Sequence, residues 1–149
     1  MGTPWRGFVH HIDLTVRELE RSTCFYDDVL PLFGFARSLD VPEGPIWAGA
    51  ALEIGLVAAR GQGAGRQHDR FSPGLHHLAF GAPDRASVDR AHERLVALGA
   101  TILDPPADYP QYAPGYRAVF LADPDGLKLE YVYTPAWPSA PAREAGTRR

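Results

Sequence analysis

One stretch of the chain is written twice, and this repeat constrains the fold more than any other feature. Phe8-Val-His-His-Ile-Asp-Leu-Thr-Val16 alternates apolar and polar residues, and so does Gly74-Leu-His-His-Leu-Ala-Phe80. Both carry a doubled histidine followed by a branched aliphatic residue. Each reads as a strand followed by a helix. The first helix is expected from Glu18 to Phe33, with Leu19, Phe25, Tyr26, Val29 and Leu30 as its apolar stripe. Pro31 makes its last turn irregular, and Gly34-Phe35 ends it. The second helix opens on Asp84, a good N-cap, carries Val88, Ala91, Leu95 and Leu98 at helical spacing, and closes at Gly99.

Three strand-like segments follow each helix. In the first half they are 36–39, 46–48 and 51–58, and in the second 101–103, 118–122 and 128–133. Asp123-Pro-Asp-Gly126 is a strong turn signal before the last of them. The pattern predicts βαβββ twice, an α+β fold of two paired modules over about 8–60 and 74–134, within a single domain of residues 1–135. Residues 61–73 are Gly-rich and read as the connector. Residues 104–115 hold four prolines and two tyrosines and read as a long functional loop. From Pro135 onward the chain is rich in Pro, Ala and Arg, and 136–149 is expected to be a disordered tail.

The bulk properties exclude some partners. The 149 residues carry a formal charge of -3, and 14 of the 15 basic residues are scattered arginines, so no basic stripe marks a nucleic-acid surface. No apolar run approaches the roughly 20 residues that cross a bilayer, and the N-terminal residues do not read as a secretory signal. Cys24, the one cysteine, allows no disulfide within the chain and is expected as a small buried residue. A cytoplasmic protein acting on a small molecule is the expectation. Trp5, Trp47 and Trp137 are candidate anchors of an interface between chains.

Strand parity then selects a site. Alternate side chains of a strand face opposite sides of its sheet. If His10, Ile12, Leu14 and Val16 face the helix, His11, Asp13 and Thr15 face away. The same rule turns His77 and Ala79 away from the helix in the second half, and Lys128, Glu130 and Val132 in the final strand. His11, His77 and Glu130 are therefore expected to meet in a cleft. Two imidazoles and a carboxylate suit one divalent metal ion, such as Zn, Ni, Co, Mn or Fe.

These stretches resemble the vicinal oxygen chelate superfamily, which includes glyoxalase I, methylmalonyl-CoA epimerase, extradiol dioxygenases and the fosfomycin and bleomycin resistance proteins. The resemblance lies in His11-Ile-Asp-Leu-Thr-Val16 with Leu19-Glu-Arg-Ser22 and Phe25-Tyr26, in Gly74–Phe80, and in Asp123-Pro-Asp-Gly-Leu-Lys-Leu-Glu-Tyr131. It implies paired modules curved into a cup around a metal, with His11, His77 and Glu130 matching the ligand positions. It also implies a homodimer, in some relatives with the cup completed between chains. Members with a fourth ligand place it in the last strand of the first half, where Leu52, Ile54 and Leu56 take the core side and Glu53 faces the cleft, four residues after Gly49 as Glu130 is after Gly126.

The resemblance implies metal-dependent isomerase, epimerase or lyase chemistry through a metal-chelated oxyanion, with Glu53 as fourth ligand or as the base that moves a proton. Two alternatives stand beside it. One is a non-haem iron dioxygenase, which also uses two histidines and a carboxylate. The other is a metal-free drug-binding resistance protein. Tyr112, Tyr116 and Arg117 are candidates to orient substrate.

Overall fold

The structure is a computed structural model, and it describes residues 8–135. The expectations for the tail 136–149 and for Trp5 and Trp137 lie outside the described residues. Two four-stranded mixed sheets with the same topology make up the fold. The first half runs β1 (His11–Val16), α1 (Leu19–Val29), β2 (Ala36–Val41), β3 (Gly44–Ala48) and β4 (Glu53–Ala58). The second runs β5 (His77–Gly81), α2 (Arg85–Ala97), β6 (Thr101–Asp108), β7 (Arg117–Ala122) and β8 (Lys128–Tyr133). The strand orders are β1-β4-β3-β2 and β5-β8-β7-β6, so the first strand of each half pairs in parallel with its last. A helix between two strands permits that parallel pairing.

The local sequence explains most boundaries. Asp84 caps α2 by accepting a hydrogen bond from the Ser87 N–H at 2.6 Å. The first helix has no side-chain cap, and it tightens into a 3₁₀ turn over Leu30–Phe33 where Pro31 removes a donor. Gly34 then reverses the chain at φ +88°.

β6 is longer than its sequence suggested, because it runs through Pro105 and Pro106. It is the edge strand, and its pairing with β7 shifts register between Ile102 and Asp104 and again between Asp104 and Ala107. Bulges on an edge are where a sheet tolerates proline. The functional loop expected from residue 104 therefore begins at Tyr109.

The core lies on the helix side of both sheets and joins them. Leu14, Val16, Ile54, Leu56, Leu129 and Tyr131 are buried against Tyr26, Val29, Val88 and Leu95 in one cluster. Phe33 stacks on Tyr131 at 4.5 Å and contacts Phe80 at 5.1 Å, linking the first half to the second. Polar contacts add a clip. Tyr26 donates to Asp123 Oδ2 at 2.9 Å, and the Arg17 N–H donates to Asp125 Oδ2 at 2.7 Å. Asp123 also accepts from the backbone of Asp125 and Leu127, so the turn before β8 is held by both halves.

Two expectations are corrected. Trp47 is fully buried and donates its indole N–H to Asp27, so it anchors the core rather than an interface. Cys24 is exposed, because α1 buries Ser22, Tyr26 and Val29 and turns Cys24 outward.

Candidate functional site

Because the helix sides of the two sheets are joined in one core, residues of the opposite parity line two separate depressions. The first, near 330 Å³, holds His10, His11, Asp13, Glu43 and Glu53. The second, near 340 Å³, holds His76, His77, Tyr112, Tyr116, Phe120, Lys128 and Glu130. Parity placed His11, Glu53, His77 and Glu130 off the helix side, and all four line these depressions. The cleft expected to unite His11, His77 and Glu130 is not formed within one chain. No residue lines both depressions, and among the described residues no group of three or more His, Cys, Asp or Glu is placed to hold a metal ion.

In the first depression the parallel register sets His11 beside Glu53. The His11 side chain is 57% exposed, and its Nε2 lies 3.9 Å from Asp13 Oδ2. Asp13 crosses the strand onto Gly55, where an added Cβ would meet its carboxylate oxygen at 2.2 Å. A side chain at position 55 would displace this half-exposed carboxylate. The half-buried Glu53 carboxylate makes no hydrogen bond or ion pair to any described residue.

The second depression is more tightly organised. The Glu130 side chain is only 3% exposed, and both of its oxygens are engaged. His77 Nε2 lies 3.2 Å from Oε2, and the Tyr116 hydroxyl donates to Oε1 at 2.5 Å. A buried carboxylate needs such partners to offset its lost hydration. Burial, and then the neighbouring Glu130, push the Tyr116 phenol far above its ordinary pKa, so it remains a donor. His76 Nδ1 lies 2.7 Å from His77 Nδ1, and His10 and His11 repeat the contact at 3.0 Å. One nitrogen of each pair must carry the proton, so each outer histidine bears on the tautomer of its neighbour. Desolvation, and then His77 and the cations Arg70 and Lys128, lower the pKa of His76.

The loop 109–116 builds the wall of this depression. Tyr109 stacks on Tyr112 at 5.8 Å and meets Phe120 edge-on at 5.5 Å, while Tyr112 meets Tyr116 at 5.3 Å. Tyr112 and Tyr116, expected to orient substrate, thus stand beside His77 and Glu130. Arg117 does not. Its guanidinium is bound to Asp89 of α2 and to Asp108 on the helix side of β7, and it lines neither depression.

The cation at this site is Lys128. Parity had put Lys128 on the same face as Glu130, which was the available signal for it. Alternation had put His10 and His76 on the helix side, but each precedes the first paired residue of its strand, and both line the depressions instead.

The family model for the glyoxalase/bleomycin resistance protein/dioxygenase superfamily matches residues 8–131. The chain belongs to this superfamily. The protein YqjT of Bacillus subtilis (strain 168) is 32% identical over 124 residues, covering 83% of this chain and 97% of that protein. A glyoxylase/bleomycin resistance protein/dioxygenase domain from Frankia sp. EAN1pec has a similar structure, with a TM-score of 0.70 at 26% identity, over 85% of this chain and 97% of that one. Lactoylglutathione lyase from Agrobacterium tumefaciens shares the fold, with a TM-score of 0.65 at 22% identity, over 91% and 99% of the two chains. By its description the superfamily includes glyoxalases and dioxygenases, which are enzymes. Among the described residues, no helix is long and apolar enough to cross a membrane.

Proposed function

We propose that the protein is a metal-dependent enzyme acting on a small molecule by isomerase, epimerase or lyase chemistry, as a homodimer. The observation that carries the reading is the buried Glu130, held by Tyr116 and His77, with a second histidine and carboxylate, His11 and Glu53, side by side in the other depression. One chain offers two donors at each place, short of the three or four protein ligands a catalytic divalent ion takes. Two imidazoles and one carboxylate fit such an ion, with positions left open for substrate. A second copy that sets its His11 against His77–Glu130 would complete that set and bring its Glu53 beside the ion. The bound ion would supply Lewis-acid stabilisation of an oxyanion.

The two carboxylates suit different roles. Glu130 has both oxygens engaged in a buried place, which fixes its geometry as a ligand requires. Glu53 has no donor holding it and is half-buried, so its carboxylate is free to take a proton from carbon and return it. Tyr112 and Phe120 would exclude water from one side of the substrate.

The test is Glu53→Gln, with metal content measured by elemental analysis and proton exchange measured beside a substrate carbonyl. The reading expects metal retained and exchange slowed about 10²–10⁴-fold. Retained exchange would remove Glu53 as the base. Purified wild-type protein without bound metal after reconstitution would remove the metal-dependent reading altogether.

A further inference from the structure

Lys128 is the only lysine among the 15 basic residues of the chain, and it lies in the second depression. Its pairing with His77 across β5 and β8 sets it beside the proposed site. Among the described residues its half-buried ammonium has no hydrogen-bond or ion-pair acceptor. It rests instead on the Phe120 ring, 3.8 Å from the centroid. A cation so placed keeps a modest attraction to the ring and leaves its donors open. Tyr112 stands nearby, stacked on Tyr109 and with 64% of its surface exposed. At the rim, Arg70 lies over Phe71 at 4.9 Å, and Phe71 meets His76 at 5.6 Å.

We propose that Lys128 and the aromatic wall beside it form a subsite for an aryl carboxylate, whose ring lies against Tyr112 and whose carboxylate takes the ammonium held over Phe120. This assignment rests on the reading of the depression as a substrate site and names the substrate class. Three features select this chemistry. The volume near 340 Å³ suits a single-ring molecule. Tyr112 offers an exposed ring, while the Tyr116 hydroxyl is already committed to Glu130. Glu130 nearby disfavours a dianion such as phosphate, and among the described residues no arginine lines the pocket to offset it.

The probes are benzoate, cyclohexanecarboxylate, acetate and benzyl alcohol, titrated calorimetrically into the full-length protein. Benzoate should bind about three- to tenfold more tightly than cyclohexanecarboxylate, reflecting the ring faces. Lys128→Met should weaken benzoate about tenfold or more and leave benzyl alcohol unchanged. As a check that needs no variant, benzoate should slow labelling of Lys128 by trinitrobenzenesulfonate, read by peptide mass spectrometry. The subsite is overturned if benzoate binds no better than acetate, if Lys128→Met has no effect, or if that variant changes the oligomeric state, which would make Lys128 an interface residue. Metal content measured on the same samples separates the two readings. Benzoate binding through Lys128 in protein that takes up no metal would sink the metal-dependent function and leave the subsite standing.

Discussion

Glu53 and Glu130 both stand in the last strand of their half on the face turned from the helices, Glu53 level with His11 and Glu130 two residues beyond the position level with His77, and they are held in opposite ways. Glu130 is buried and bound by two donors, whereas Glu53 is half-buried and bound by none. The cause is the connection between the second and third strands of each half. In the first half β2 and β3 are joined through Pro42 and Glu43 alone, too short to fold over the sheet. In the second half residues 109–116 intervene and carry Tyr116 onto Glu130. The longer loop thus supplies one of the two donors that hold Glu130, and under the proposed function the fixed carboxylate would be the ligand and the unheld one the base.

Four measurements bear on this contrast. The largest effect is expected at Glu130. Glu130→Ala should weaken metal binding by more than about 100-fold, whereas Glu53→Ala should weaken it less than about tenfold. Equal losses in an equilibrium metal titration would erase the distinction. Tyr116→Phe should cost about 10–100-fold in metal affinity by freeing one Glu130 oxygen, while Tyr109→Phe should cost little. The same titration reads both.

The helices offer a third comparison. Asp84→Ala should destabilise the protein by about 1 kcal/mol in urea unfolding, because Asp84 caps α2. Glu18→Ala should be near neutral, because Glu18 makes no cap bond to α1.

The fourth effect concerns the clip between halves. Burial holds the Asp123 carboxyl above its ordinary value of 3.8, despite the hydrogen bonds that favour its charged form. The folded chain therefore keeps this proton to higher pH than the unfolded chain does. Its contribution to stability is fully present below the unfolded pKa and is lost as pH rises through the folded one. Relative to Asp123→Asn, the wild type should lose stability as pH rises above about 4. A difference that grows in the other direction would refute this account of Asp123.

Much of the molecule was legible before the coordinates were. The repeat of His-His plus a branched aliphatic located β1 and β5, and Asp84 and Gly99 bracketed α2. Alternation turned His11, Glu53, His77 and Glu130 off the helix side without knowledge of any contact. The reading failed where the physics is nonlocal. Pro105 and Pro106 argued for loop, but an edge strand with bulges accepts them. Arg117 sits beside Tyr116 in sequence, yet alternation turns it to the helix side, where Asp89 and Asp108 bind it. Cys24 adjoins two aromatic residues but lies on the outer face of its helix.

The sequence by itself determined the paired modules and the face on which each candidate ligand stands, because these follow from period and spacing along the chain. Only the tertiary structure decided that the candidate ligands form two pairs rather than one cluster. That outcome depends on how the halves pack. Phe33 against Phe80 and Tyr131, with Tyr26 on Asp123, joins the helix sides and leaves the two depressions apart. No local pattern encodes the relative placement of two modules, since it is set by the burial of apolar surface between residues far apart in the chain.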